Sequence, residues 1–190
     1  FQQPFKTAEN VIVGIGDDAA VTQIPADQQL VTTVDTLVAG VHFPPDTAAA
    51  DIGYKSLAVS LSDLAAMGAS PQWFTLALTL PQNNPAWLAQ FSQGLQEIAQ
   101  LGEITLIGGD TTRGQLTITI QAMGFVPLGQ ALLRSTAQVD DDIYVSGTVG
   151  DAAMGLAMLQ QKLPQDLNEG AFFRARLNRP TPRNAAGIAL

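Results

Sequence analysis

The chain has 190 residues, 46% of them hydrophobic, no cysteine, and a formal charge of −8 from 17 acidic against 9 basic residues. The lack of cysteine excludes disulfides and thiolate metal sites, and the acidic balance argues against a nucleic-acid-binding face. No run of ~18 apolar residues reads as a membrane span, and no cationic leader precedes an apolar stretch, so a cytoplasmic protein without membrane partners is expected.

In chain order, NVIVGIG (10–16) and AAVTQI (19–24) read as strands flanking Asp17 and Asp18, and a PADQQ turn leads into the strand LVTTVD (30–35). Residues 51–67 carry Leu57, Leu61 and Leu64 at helical spacing. QWFTLALTL (72–80) reads as a strand, and a helix then opens at Pro85 with Trp87, Leu88, Phe91, Leu95 and Ile98 on its apolar side. EITLIGGD (103–110) and QLTITIQAMGFV (115–126) are further strands. An irregular stretch over 127–139 marks a boundary, after which DDDIYVSGTVGDAAMGL starts a new strand–turn–helix unit and RPTPRNAAGIAL begins a helix. The class is α+β, with mixed α/β layers: a first domain over 1–135 and the beginning of a second over 136–190, so the chain reads as a fragment.

The 17 carboxylates are skewed, 13 Asp to 4 Glu, and Asp suits turns, caps and oxygen-ligand sites for hard cations. Asp17 and Asp18 sit in a Gly-Asp-Asp turn, which is commonplace. Asp35 ends a strand beside Thr33, where a solvated strand end competes with a cation site. Ser56, Ser60 and Asp63 share one face of a helix that is apolar on most other sides, either as a solvated stripe or as a carboxylate presented to an interior site. LIGGDTTRG puts Asp110 after Gly108 and Gly109, as a hairpin turn or as a close approach of backbone to ligand. His42, the one histidine, reads by itself as a satisfied surface or core residue. Gly147 and Gly150 precede a helix that Asp151 could cap, and that helix start suits either a simple turn or a phosphate. Taken together, the Asp positions suggest oxygen ligands for Mg²⁺, which favours carboxylates plus phosphate oxygens.

IGDDAAV, TTVDTLVAGVHF, YKSLAVSLSDLAAMGASP, LIGGDTTRG and RSTAQVDDDIYVSGTVGDAAMGL occur in an order that resembles the thiamine-monophosphate kinase family, over residues 10 to 183. That family shares an ATP-binding superfamily with aminoimidazole ribonucleotide synthetase, selenophosphate synthetase and a hydrogenase maturation factor. The resemblance implies a first domain of the aminoimidazole ribonucleotide synthetase type, with strands paired across a homodimer. It implies transfer of the ATP γ-phosphoryl group to thiamine monophosphate, giving thiamine diphosphate. It also implies that Asp18, Thr33, Asp35, Asp63 and Asp110 hold several Mg²⁺ ions, that Gly109, Asp110 and Arg134 contact ATP, and that His42 contacts the thiamine substrate. Two residues depart from the pattern: Val34 replaces a usual threonine and Asp140 a usual glycine. The family continues past the equivalent of Leu190 with a second acidic motif, so this chain alone is expected to be inactive. Another enzyme of the superfamily, or a catalytically silent dimerisation piece, is the alternative.

Overall fold

In a computed structural model, which describes residues 9–163 and 169–190, the chain begins with two short strands, β1 (Val11–Val13) and β2 (Val21–Thr22), paired antiparallel. The larger elements follow: β3 (Gln28–Val38), α1 (Ala49–Ala66), β4 (Ser70–Leu80), α2 (Pro85–Leu101), β5 (Thr105–Arg113) and β6 (Thr117–Pro127). A short 3-10 turn at Arg134–Thr136 leads to α3 (Asp151–Leu159), α4 (Gly170–Asn178) and α5 (Asn184–Ala189). Strands β3, β6, β4 and β5 form one sheet in that order. Only β4 and β5 are parallel in it, and α2 makes the crossover that a parallel pair needs.

Each helix of the first layer is bounded by local chemistry. Asn84 caps α2 by accepting from the Trp87 N–H at 3.1 Å, and Pro85 fills the first position, where a missing N–H costs nothing. At its other end α1 closes in a Schellman arrangement: the Ala69 N–H donates to Leu64 O at 2.9 Å and the Gly68 N–H to Ala65 O at 3.1 Å, with Gly68 at φ 70°. The two helices run against one another at very short range. A Cβ on Gly53 would strike Phe91 O, and one on Gly94 would strike Ala50 O, so only glycine lets these backbones approach.

Both helices cover one face of the sheet. Leu37, Leu76, Leu78, Ile118, Ile120 and Ala122 pack there against Leu57, Leu61, Leu64, Phe91, Leu95 and Ile98. Among the described residues the opposite face is covered over part of its area only, where Trp73, Ile107 and Phe125 cluster with Val11 and Ala20 of the β1–β2 ribbon region. Trp73 and Phe125 meet edge to face at 5.1 Å. Farther along that face lie the cross-strand threonine pairs Thr36–Thr119 (2.9 Å) and Thr79–Thr112 (3.0 Å), together with Val34, which is 62% exposed.

Three sequence expectations change. Both β3 and β5 run on past their aspartates, to Val38 and Arg113, so Asp35 and Asp110 lie inside strands and not at their ends. Both strands are sheet edges, where a carboxylate can reach solvent without breaking the ladder. The strand expected at IYVS does not form among the described residues: Ile143 and Tyr144 are 93% and 88% exposed, and a lone strand has no ladder to join. Gly150, at φ 99°, takes the N-cap of α3 in place of Asp151, whose carboxylate instead accepts from Thr148 Oγ1 and Arg176 Nε.

The residues after 136 reach back to the first layer. Arg179 donates to Asp51 on α1 (2.6 Å) and to Glu97 on α2 (2.8 Å), and lies 4.9 Å over the Tyr54 ring. Helix α5 docks on α1, with Gly187 against the Ala65 backbone and Asn184 Nδ2 donating to Leu61 O. No helix among the described residues is long and apolar enough to cross a membrane.

Candidate functional site

The seam between β3 and α1 collects polar groups that a core would not keep. Thr33 and Asp35 alternate with the exposed Val34, so they point to the side of the sheet where α1 lies. Opposite them, α1 brings Ser56 and Ser60, both fully buried, and Asp63. Thr33 Oγ1 donates to Asp63 Oδ2 at 2.6 Å, and Ser60 Oγ donates to Asp35 Oδ2 at 3.4 Å. The shared helical face of Ser60 and Asp63 therefore meets two alternate residues of one strand. Asp63 itself is exposed, a solvated end to an otherwise buried helix face.

Charge is unbalanced here. Desolvation raises the Asp35 carboxyl above its ordinary value of 3.8, and the negative charge of Asp63 raises it further. The Ser60 hydrogen bond and the His42 ring pull in the other direction and do not cancel the rise. No ion pair reaches either carboxylate among the described residues. Two neighbouring carboxylates and two hydroxyls, with no ion pair among the described residues, form a donor set that suits a hard divalent cation completing its shell with water or phosphate oxygens. Asp35 and Asp63, with Thr33 beside them, supply that donor set.

Asp18 and Asp110 are not brought to this pair. Asp110 is on β5 and Asp35 on β3, at opposite edges of a four-stranded sheet, about 14 Å apart across three strand spacings. Among the described residues no cluster of three or more His, Cys, Asp or Glu side chains forms a metal cage. Asp110 instead lines a pocket of about 210 Å³ with Ile15, Gly108, Gly109 and Thr111. Ile15 brings the Gly-Asp-Asp turn to that edge, and within the turn the Asp18 N–H donates to Asp17 Oδ1 at 2.8 Å. Gly109 has a packing reason of its own, since a Cβ there would collide with Leu76 O of β4.

His42 lies beyond the end of β3, in a turn fixed by the Val41 and His42 N–H groups, which both donate to Val38 O. Its Nδ1 accepts from the Val38 N–H at 3.0 Å, which puts the proton of a neutral ring on Nε2. Arg134 is exposed on the 3-10 turn. Two residues earlier the Leu132 N–H donates to Met67 O, which ties this segment to the end of α1 that carries Asp63. Two contributors escaped the sequence reading of site residues. The spacing of Ser60 gives its helix face but not its partner, Asp35. Lys55, whose Nζ donates to His42 O at 3.3 Å, gave no signal, because a lysine on a helix ordinarily reads as a solvated side chain.

The family described as "AIR synthase related protein, N-terminal domain" matches residues 16–126. The thiamine-monophosphate kinase of Escherichia coli (strain K12) is 53% identical over 95% of this chain and 56% of its own length. The crystal structure of thiamine-monophosphate kinase from Stenotrophomonas maltophilia K279a superposes with a TM-score of 0.88, at 52% identity over 95% of this chain and 58% of that one. A complex described as AaThiL with AMPPCP and TMP superposes with a TM-score of 0.81, at 27% identity over 92% of this chain and 56% of that one. The chain thus spans a little over half the length of the relatives it matches.

Proposed function

The chain belongs to the AIR synthase related protein family through that family's N-terminal domain, and from that premise we propose that it is the metal- and nucleotide-binding part of a thiamine-monophosphate kinase. The reaction is transfer of the γ-phosphoryl group of ATP to thiamine monophosphate. The observation that carries the reading is the Asp35–Asp63 pair, held by Ser60 and Thr33 and in no ion pair among the described residues. Sequence identity of 53% to a kinase of that name, and likeness to a complex with AMPPCP and TMP, supply the substrates.

In this reading an oxygen of the acceptor phosphate attacks the γ-phosphorus, and the bond from that phosphorus to the β–γ bridging oxygen breaks as ADP leaves. The acceptor phosphate is ionised near neutral pH, so no side-chain base or nucleophile is needed, and catalysis rests on positioning and charge. Bound Mg²⁺ offsets the repulsion between two anionic substrates and an acidic protein. Asp35, Asp63 and Thr33 hold metal at the β3 edge, while Asp18, Asp110 and Gly109 hold metal and nucleotide at the β5 edge. Arg134 neutralises triphosphate charge, and His42 contacts the thiamine substrate.

Because the two acidic edges are about 14 Å apart in one chain, several ions and an extended triphosphate, or a second chain, are needed to join them. A homodimer of a cytoplasmic enzyme fits this, with the partly uncovered sheet face carrying Val34 as its contact surface. Residues 136–190 are read as the beginning of a second domain that contributes a further wall to the cleft. The test is a thiamine diphosphate assay on the full-length protein with ATP and Mg²⁺. Product is expected from the native sequence and none from Asp35→Asn, and equal turnover by both would overturn the assignment.

A further inference from the structure

Lys55 is a half-buried cation that nothing in the first layer neutralises. Its one hydrogen bond among the described residues is the long 3.3 Å contact to His42 O, and it makes no ion pair there. An ammonium has three N–H donors, so this contact leaves two free. Desolvation lowers its pKa, which means that burial takes hydration from the charge without returning an anion. A lysine kept only for solubility would extend to solvent. This one lies over the turn that carries the histidine.

Its position relative to the carboxylates follows from the antiparallel run of α1 along β3. Thr33 meets Asp63, Asp35 meets Ser60, and the turn after Val38 meets Lys55. Ser60 is five residues after Lys55, about 7.5 Å along the helix axis. His42, which Lys55 touches, is near enough to Asp35 to influence its charge. The seam therefore has an acidic end suited to a cation and a basic end suited to an anion, within one short span.

We propose that Lys55 is the residue that holds the phosphate group of the acceptor, gripping it from the side opposite the Asp35–Asp63 pair. This rests on the kinase reading above and extends it to a specificity determinant: Lys55 distinguishes a phosphorylated acceptor from the same molecule without its phosphate. The incoming phosphate takes the two free N–H donors and replaces the hydration that burial removed. His42, held by the same lysine through its carbonyl, lies beside that phosphate and reads the remainder of the acceptor.

The test is calorimetric titration of the chain, with Mg²⁺ and AMPPCP present, by thiamine monophosphate and separately by thiamine. Lys55→Gln is expected to weaken thiamine monophosphate binding about tenfold or more and to leave thiamine binding unchanged. Lys55→Arg restores part of the loss by returning the charge. Equal thiamine monophosphate affinity in the native chain and Lys55→Gln would overturn the inference. So would equal losses for both ligands, which would make Lys55 only a tie on the His42 turn. If thermal melting shows that Lys55→Gln does not fold, Lys55→Met keeps the aliphatic stem and decides by the same criteria. A native chain that binds neither AMPPCP nor thiamine monophosphate fails the kinase reading itself, before any variant is made, and the inference falls with it.

Discussion

The two edges of the sheet carry the same residue type in different settings. At the β3 edge Asp35 is half-buried, shares a helix–strand seam with Asp63, and has its carboxyl raised by burial and by that neighbour. At the β5 edge Asp110 is exposed in a shallow pocket, with Gly109 pressed against the β4 backbone. An aspartate on an edge strand is thus not a site by itself. What differs is the helix: α1 passes over β3 with hydroxyls and a second carboxylate on its inner face, and among the described residues no helix presents such a face to Asp110.

The largest effect that could break this contrast is on metal. Asp35→Asn and Asp63→Asn should each weaken Mg²⁺-dependent AMPPCP binding by about a hundredfold, at or above the scale seen for loss of groups around a metal. Asp110→Asn in the same chain should cost less, because Asp110 is exposed and lacks the hydroxyl-bearing helix face that holds Asp35. Calorimetry on the three variants gives the ranking, and an Asp110 loss equal to the other two would erase the distinction between the edges.

Stability should rank the other way. Gly109→Ala drives a Cβ into Leu76 O and should destabilise the fold by about 2 kcal/mol, read as a lower denaturant midpoint. Ser60→Ala removes the donor that steadies Asp35, and should weaken Mg²⁺ binding about tenfold without moving the Asp110 contribution. The smallest effect is electrostatic. Because the folded state raises the Asp35 pKa, it holds that proton more tightly than the unfolded chain does, so stability from this group falls as pH rises from 3.8 toward the raised value. In metal-free buffer, Asp35→Asn should therefore melt slightly higher than the native chain at neutral pH, and the gain should vanish below the ordinary carboxylate range. A native chain that melts higher than the variant at neutral pH without metal would mean that Asp35 is paired with a cation of the protein.

Much of the β3 seam was legible in the sequence. Ser56, Ser60 and Asp63 at i, i+4 and i+7 of an apolar helix have no reason in propensity, and Thr33 and Asp35 alternate on a strand. The extent of β3 was less so. Asp35 looked like a strand end because a carboxylate is unwelcome inside a sheet, and only the sheet order, which places β3 at an edge, removes that objection. The strand expected at IYVS has the right composition, but composition does not provide the neighbouring strand. Helix α4 offers no clean apolar face, because Arg174 and Arg176 interrupt it, and it meets α3 through Gly155 against Phe173 O and Arg176 against Asp151, contacts that its local sequence does not report. The Arg179 clamp joins Asp51 and Glu97 across 128 and 82 residues of sequence, and no local pattern reports a contact of that range.

The claim on which the account turns is that the β3–α1 seam is a metal-phosphate site, and titration of AMPPCP into the 190-residue chain, with and without Mg²⁺, tests it most directly. Binding is expected to require Mg²⁺ and to be lost in Asp35→Asn. Binding that is the same with and without the metal, or unchanged in that variant, would contradict it.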